Sequence, residues 1–206
     1  MKIDTLCVGE FMANCYIVSL QCGKCFLIDP GAEADRIKSW LKKNKLTPSF
    51  ILHTHGHIDH IGADKDFSLD IYIHKNDIFL LKDADLNLSR FLAEPFTIES
   101  DIKPLEDKQK IFWEGVAIET IHTPGHTAGS SCFFIRNHNQ KVLFSGDTLF
   151  CNSVGRTDFP GSSYKDLINS IKEKIFVLDD DTYIYPGHGP TSLLGKEKKD
   201  NPFLNT

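Results

Sequence analysis

The chain has 206 residues, 41% of them hydrophobic and 25% charged, so it can bury a sizeable core and carries no signature of a disordered or fibrous protein. Its 23 Lys and Arg against 28 Asp and Glu give a formal charge of -5, which argues against a surface built to wrap phosphate backbones. We therefore expect one domain over residues 1–206 and no nucleic-acid partner.

Taken in chain order, Met1 to Cys7, Cys15 to Leu20 and Cys25 to Ile28 read as short strands. The first of these has charges at Lys2 and Asp4 and no long apolar run. No signal peptide or membrane span is expected, which predicts a cytoplasmic protein whose six cysteines are reduced. Cys22-Gly-Lys-Cys25 has redox-centre spacing, but it stands alone between two apolar runs and reads as a hairpin turn, with a thiol switch as the alternative.

Asp29-Pro30-Gly31 closes this block as a turn. Glu33 to Lys43 places Ile37, Trp40 and Leu41 at helical spacing, and Phe50 to Leu52 suits a buried strand. The alternation continues with a strand at Ile71 to His74 and a mixed polar and apolar segment at Lys75 to Lys82. Residues 83–114 show weak periodicity and carry Phe91, Phe96, Phe112 and Trp113, which fits either a substrate cover or a surface excursion packed on its own aromatics. Strands are expected at Val116 to Ile121, Ser131 to Arg136, Val142 to Phe144 and Thr182 to Tyr185, with a helix from Tyr164 to Ile175. Gly195 to Lys199 reads as a solvated basic tail. Two strand-rich halves with helices suggest a layered α/β domain.

The chemistry concentrates after the strand at Phe50 to Leu52, where His55-Gly-His57-Ile-Asp59-His60 places three imidazoles and a carboxylate within six positions. Nitrogen and oxygen donors of this kind suit zinc, iron or manganese. His55 and His57, two apart in extended chain, can point the same way, while Asp59 and His60 diverge enough to serve a second ion. Thr123-Pro-Gly-His126, Ser145-Gly-Asp147-Thr148 and Tyr185-Pro-Gly-His188-Gly189 each offer one more ligand at a turn after an apolar run. In α/β layers such turns gather at the carboxyl ends of strands, so the four motifs can converge on one edge. His53 and His122 read as packing groups or as groups that orient a ligand, and His74 and His138 as solvated.

HTHGHIDH, TPGHTAGS, FSGDTLF and YPGHGP, in this order and at these intervals, resemble the metallo-β-lactamase superfamily. Ala13-Asn-Cys-Tyr16, Ile28-Asp-Pro-Gly31 and Gly155-Arg-Thr-Asp158 are similar to its compact hydroxyacylglutathione hydrolase (glyoxalase II) branch. The resemblance implies a four-layer αββα sandwich holding two divalent ions, Zn2+ by preference and Fe or Mn otherwise. His55, His57 and His126 would hold one ion, and Asp59, His60 and His188 the other, with Asp147 bridging them.

The implied reaction is hydrolysis of a small 2-hydroxyacyl thioester, such as S-lactoylglutathione, by metal-activated water that Asp59 orients and deprotonates. A thiolate leaves readily at a pKa of about 8.5, so the lack of an obvious general acid is no obstacle. Longer glyoxalase II enzymes bind glutathione through a helical C-terminal domain, whereas 18 of the 206 residues here follow His188. Arg156 can bind a substrate carboxylate, but pairing with Asp158 in its own loop is the favoured reading. Persulfide dioxygenases share the scaffold and a similar Gly155 to Phe159 stretch, which makes a mononuclear iron oxygenase the alternative, with a non-catalytic metal-binding protein behind it. The absent leader argues against an exported lactamase, and the modest size and acidic balance against a superfamily nuclease.

Overall fold

The computed structural model describes residues 1–91, 94–99, 101–137 and 140–204. They divide into two compact units, one of residues 1–73 with 77–104 and one of residues 74–76 with 105–206. The fold is mixed α/β, and each unit carries a six-stranded sheet.

The first unit opens with a meander of β1 (Lys2–Val8), β2 (Ala13–Ser19) and β3 (Lys24–Ile28). The turn between β2 and β3 carries Cys22 and places Ser19 opposite Cys25. Gly23 at φ +82° supplies the left-handed residue of this hairpin. Helix α1 (Ala34–Lys43) then crosses to β4 (Thr47–Leu52), which pairs parallel with β3. Ile37 and Leu41, four apart, bury one face of α1, while Asp35 in its first turn and Lys42 and Lys43 in its last complement the helix dipole. A single-turn α2 (Ile58–Ile61), β5 (Asp70–His74), a short α3 (Ile78–Leu81) and β6 (Ile102–Leu105) complete a sheet ordered β1-β2-β3-β4-β5-β6. The last residues of β5 and β6 fall in the second unit. Leu27, Ile51 and Ile73 meet Ile37 and Leu41 in this unit's core.

In the second unit β7 (Lys110–Trp113), β8 (Val116–His122), β9 (Ser131–Arg136) and β10 (Lys141–Gly146) pair in antiparallel succession. A ribbon of β11 (Leu149–Phe150) and β12 (Ser153–Val154) precedes α4 (Tyr164–Ser170), which is capped by Ser163 and runs on as a π-helical turn over Ile171–Ile175. β13 (Tyr183–Pro186) returns parallel to β10, and β14 (Ser192–Leu193) and α5 (Leu194–Asp200) finish the unit. Its core gathers Leu143 and Ile184 from the sheet with Leu167, Ile171 and Leu194 from the helices.

Three expectations are corrected. Residues 102–105 and 110–113 form strands inside the stretch expected to be irregular. Residues 195–199 belong to α5, whose Leu194 and Glu197 are fully buried, so the lysine run is the wet face of a docked helix and not a tail. His74 is buried, stacked on the His122 ring with centroids 3.8 Å apart. His138 lies outside the described residues. Among the described residues no helix is long and apolar enough to cross a membrane.

Candidate metal centre

Four candidate ligands, His55, His57, Asp59 and His60, belong to the first unit, and three, His126, Asp147 and His188, to the second. In the first, β3 and β4 run parallel with Ile28 opposite Leu52, so residues 29–31 and 53–60 leave the sheet at the same edge. Asp29 takes a left-handed φ of 51°, which a short polar residue tolerates, and its carboxylate organises the loop. Oδ1 accepts from the Thr54 amide at 2.9 Å, and Oδ2 accepts from Thr54 Oγ1 at 2.6 Å and from His60 Nδ1 at 2.9 Å. Thr54 Oγ1, its proton given to Asp29, accepts in turn from His55 Nδ1 at 3.1 Å. One buried carboxylate thus sets the tautomer of two candidate ligands, leaving Nε2 of His55 and His60 as the atoms that could ligate. The His57 ring meets His55 edge to face at 4.8 Å, and His60 Nε2 stands 3.7 Å from Asp59 Oδ2. The Gly56 amide donates to Asp77 Oδ2 at 3.1 Å, which pins the turn between His55 and His57.

Behind this loop lies a buried pair. His53 Nε2 is 2.6 Å from Asp64 Oδ2, and its Nδ1 is 3.4 Å from Asp29 Oδ1. Burial alone would push the imidazole down, but the two carboxylates outweigh it and hold its pKa up to about 9. Burial would likewise raise Asp29, yet its contacts with His60 and His53 keep that carboxyl well below the usual range.

In the second unit β8 and β10 each run antiparallel to β9, and β13 is parallel to β10. The carboxyl ends of β8, β10 and β13 therefore share one edge, and each is followed by a candidate ligand, respectively His126, Asp147 and His188. The Gly187 amide donates to the Gly146 carbonyl at 2.8 Å, tying the last two turns together. Asp147 Oδ2 is 3.6 Å from both His126 Nε2 and His188 Nε2. His126 Nδ1 donates to the Arg156 carbonyl at 2.7 Å, which again leaves Nε2 to ligate. The Arg156 guanidinium is exposed, bonds Asp158 through two contacts of 2.9 and 2.8 Å, and lies over the Phe159 ring. That is the internal pairing favoured from sequence.

Two glycines hold ligand-bearing backbone at close range. A Cβ on Gly31 would lie 1.5 Å from the Asp59 carbonyl oxygen, and one on Gly155 would lie 1.8 Å from that of Asp147. Each unit thus seats a candidate ligand aspartate against a glycine.

The donors fit a divalent transition ion. Tetrahedral ligands bound at roughly 2.0 to 2.1 Å stand about 3.4 Å apart, close to the 3.6 and 3.7 Å separations found within each unit. Five imidazoles and two carboxylates are the nitrogen and oxygen set that zinc, iron and manganese accept.

The model of the metallo-β-lactamase superfamily matches residues 8–188. The chain belongs to that superfamily. A hydroxyacylglutathione hydrolase, GloC, of Haemophilus influenzae is 36% identical over 100% of this chain and 99% of its own. Among solved structures, the B3 metallo-β-lactamase BLEG-1 matches at a TM-score of 0.93 and 35% identity over 100% of both chains. TTHA1623 in a di-iron-bound form matches at 0.85 and 35%, over 98% of this chain and 100% of that one. Superfamily membership makes the chain a metal-dependent hydrolase with a metal-binding His/Asp set.

Asp29, Thr54, Asp64 and Gly31 were missed as functional groups. The Asp-Pro-Gly turn was visible, but its partnership with residues 53–60 depends on the parallel pairing of β3 and β4, which sequence spacing does not carry.

Proposed function

We propose that the chain is a binuclear hydrolase of small acyl thioesters, with His55, His57 and His126 on one ion, Asp59, His60 and His188 on the other, and Asp147 between them. The observation that carries this reading is the preset orientation of the ligands. His55, His60 and His126 each have Nδ1 committed to a neighbour, and Asp147 lies equally far, 3.6 Å, from a histidine assigned to either ion. Two bound divalent ions would supply an acidified water and Lewis-acid polarisation of the acyl carbonyl.

The remaining tasks fall to the chain. Asp59 carries a side chain 21% exposed, unlike the buried imidazole of His60 beside it, and so can orient the attacking water and take its proton. Asp29 and the Arg156 carbonyl hold the ligating rings still, which limits the reorganisation the site undergoes. No general acid is required for a thiolate leaving group. Likeness over its full length to a relative named hydroxyacylglutathione hydrolase supports a thioester substrate.

The test is release of free thiol from S-lactoylglutathione and from acyl thioesters of simple thiols, under nitrogen and under air, with zinc-, iron- and manganese-loaded protein. Equal turnover in both atmospheres is expected. Turnover that strictly requires oxygen, with a persulfide as the accepted substrate, would overturn the reading in favour of an iron oxygenase.

A further inference from the structure

Beside Asp59 the first unit carries a cleft of about 460 Å³, within the size range of small-molecule sites. Its walls come from three places: Phe11 in the turn between β1 and β2, Ala32 and Ile58 beside the metal-facing loop, and Phe91 from the segment 83–114. Both aromatic rings are largely open to water, Phe11 at 53% and Phe91 at 77% exposure. A soluble chain gains nothing by holding two phenyl rings in water around a carboxylate unless something apolar covers them.

The charge of the lining is one-sided. Glu10 and Asp59 are its ionisable groups, and no Lys or Arg stands among the described residues that line it. Arg36, which donates to the Cys7 carbonyl nearby, is held by Glu33. Asp59 is assigned to a metal ion, so a bound carboxylate would meet the Glu10 charge and no Lys or Arg here, whereas an alkyl or aryl group would cover Phe11, Ile58 and Phe91.

We propose that this cleft receives the acyl chain of the substrate, and that the chain is selective for thioesters of uncharged aliphatic or aromatic acids longer than two or three carbons. The inference rests on the thioester reading and on Asp59 acting at the acyl carbonyl. It gives Phe91 a role in specificity, and it makes Glu10 a charge filter.

The test is kcat/KM for acetyl, butanoyl, hexanoyl and phenylacetyl thioesters of one neutral thiol, together with the adipoyl thioester, whose six-carbon chain ends in a carboxylate. Added methylenes in an apolar pocket are worth about tenfold or more. Hexanoyl should therefore exceed acetyl by at least about tenfold, and adipoyl should fall near or below acetyl. Phe91→Ala should reduce the hexanoyl-to-acetyl ratio about tenfold, and Glu10→Lys should raise adipoyl relative to hexanoyl, a reversal that lost stability would not produce. Thioester turnover with a flat chain-length profile and no response to Glu10→Lys would overturn the cleft assignment alone. Failure to cleave any member of the series would overturn the thioester reading and this inference together.

Discussion

Gly155→Ala is a sharp perturbation because the obstruction lies against backbone. The added Cβ would sit 1.8 Å from the Asp147 carbonyl oxygen, and relief to an ordinary 3.4 Å contact requires the two segments to part by about 1.6 Å. The segment that moves carries Asp147, and the Arg156 carbonyl that orients His126 follows Gly155 directly. A misplacement of about 1 Å can cost roughly a hundredfold in rate, and disturbing the groups that orient a ligand lowers metal affinity about 10- to 100-fold. We expect the variant to lose at least about tenfold in metal affinity, measured by competition with a chromophoric chelator, and about a hundredfold in kcat/KM. Gly115→Ala is the control. Its Cβ meets nothing within 4 Å, so it bears only the cost of a left-handed backbone at φ +80° and should load metal normally. If Gly155→Ala is folded by circular dichroism and matches Gly115→Ala in metal affinity and rate, the packing of Gly155 against Asp147 does not position the ligand and the argument fails.

Other predictions concern the buried histidines. Asp64→Leu leaves His53 facing Asp29 alone and should cost roughly 3 kcal/mol in urea unfolding of the metal-free protein, with much of it recovered in the double variant His53→Leu, Asp64→Leu. A loss under about 1 kcal/mol would show that the pair is not a buried ion pair. His74 is held neutral, with its pKa pushed down from 6.5 to about 4 by burial and then by His122 and Lys75. Its contribution to stability is therefore present above about pH 6.5 and is lost as pH falls toward 4. His74→Phe keeps an aromatic stack on His122 and should shallow the fall in unfolding free energy across that window. An unchanged slope would mean that His74 already protonates freely in the folded protein.

The candidate ligand set could be drawn up from sequence because three histidines and an aspartate crowd residues 55–60, and because each further candidate follows an apolar strand at a Gly-containing turn. Strand ends in an α/β sheet collect such turns whatever the details of the helices. The network that orients the ligands was not legible. Asp29 reaches His60 and Thr54 through the pairing of β3 with β4, whose partners are 23 or 24 residues apart, and Asp64 reaches His53 across α2. α5 was misread because its lysines dominate the local composition while Leu194 and Glu197, which dock it, are single residues in that run. His74 sits at a strand end, where sequence alone could not reveal the stacking with His122. Strands β6 and β7 escaped notice because each has only four residues and neither alternates cleanly.

The proposal tested most directly is that the seven candidate ligands together hold two ions. Metal content per folded chain, determined by mass spectrometry of the elements after reconstitution and removal of excess ion, addresses it directly. Two equivalents are expected for the wild-type chain, with substantial loss for Asp147→Ala and loss of one equivalent for His188→Ala. A wild-type chain that retains a single equivalent, or an Asp147→Ala variant that retains both, would contradict it.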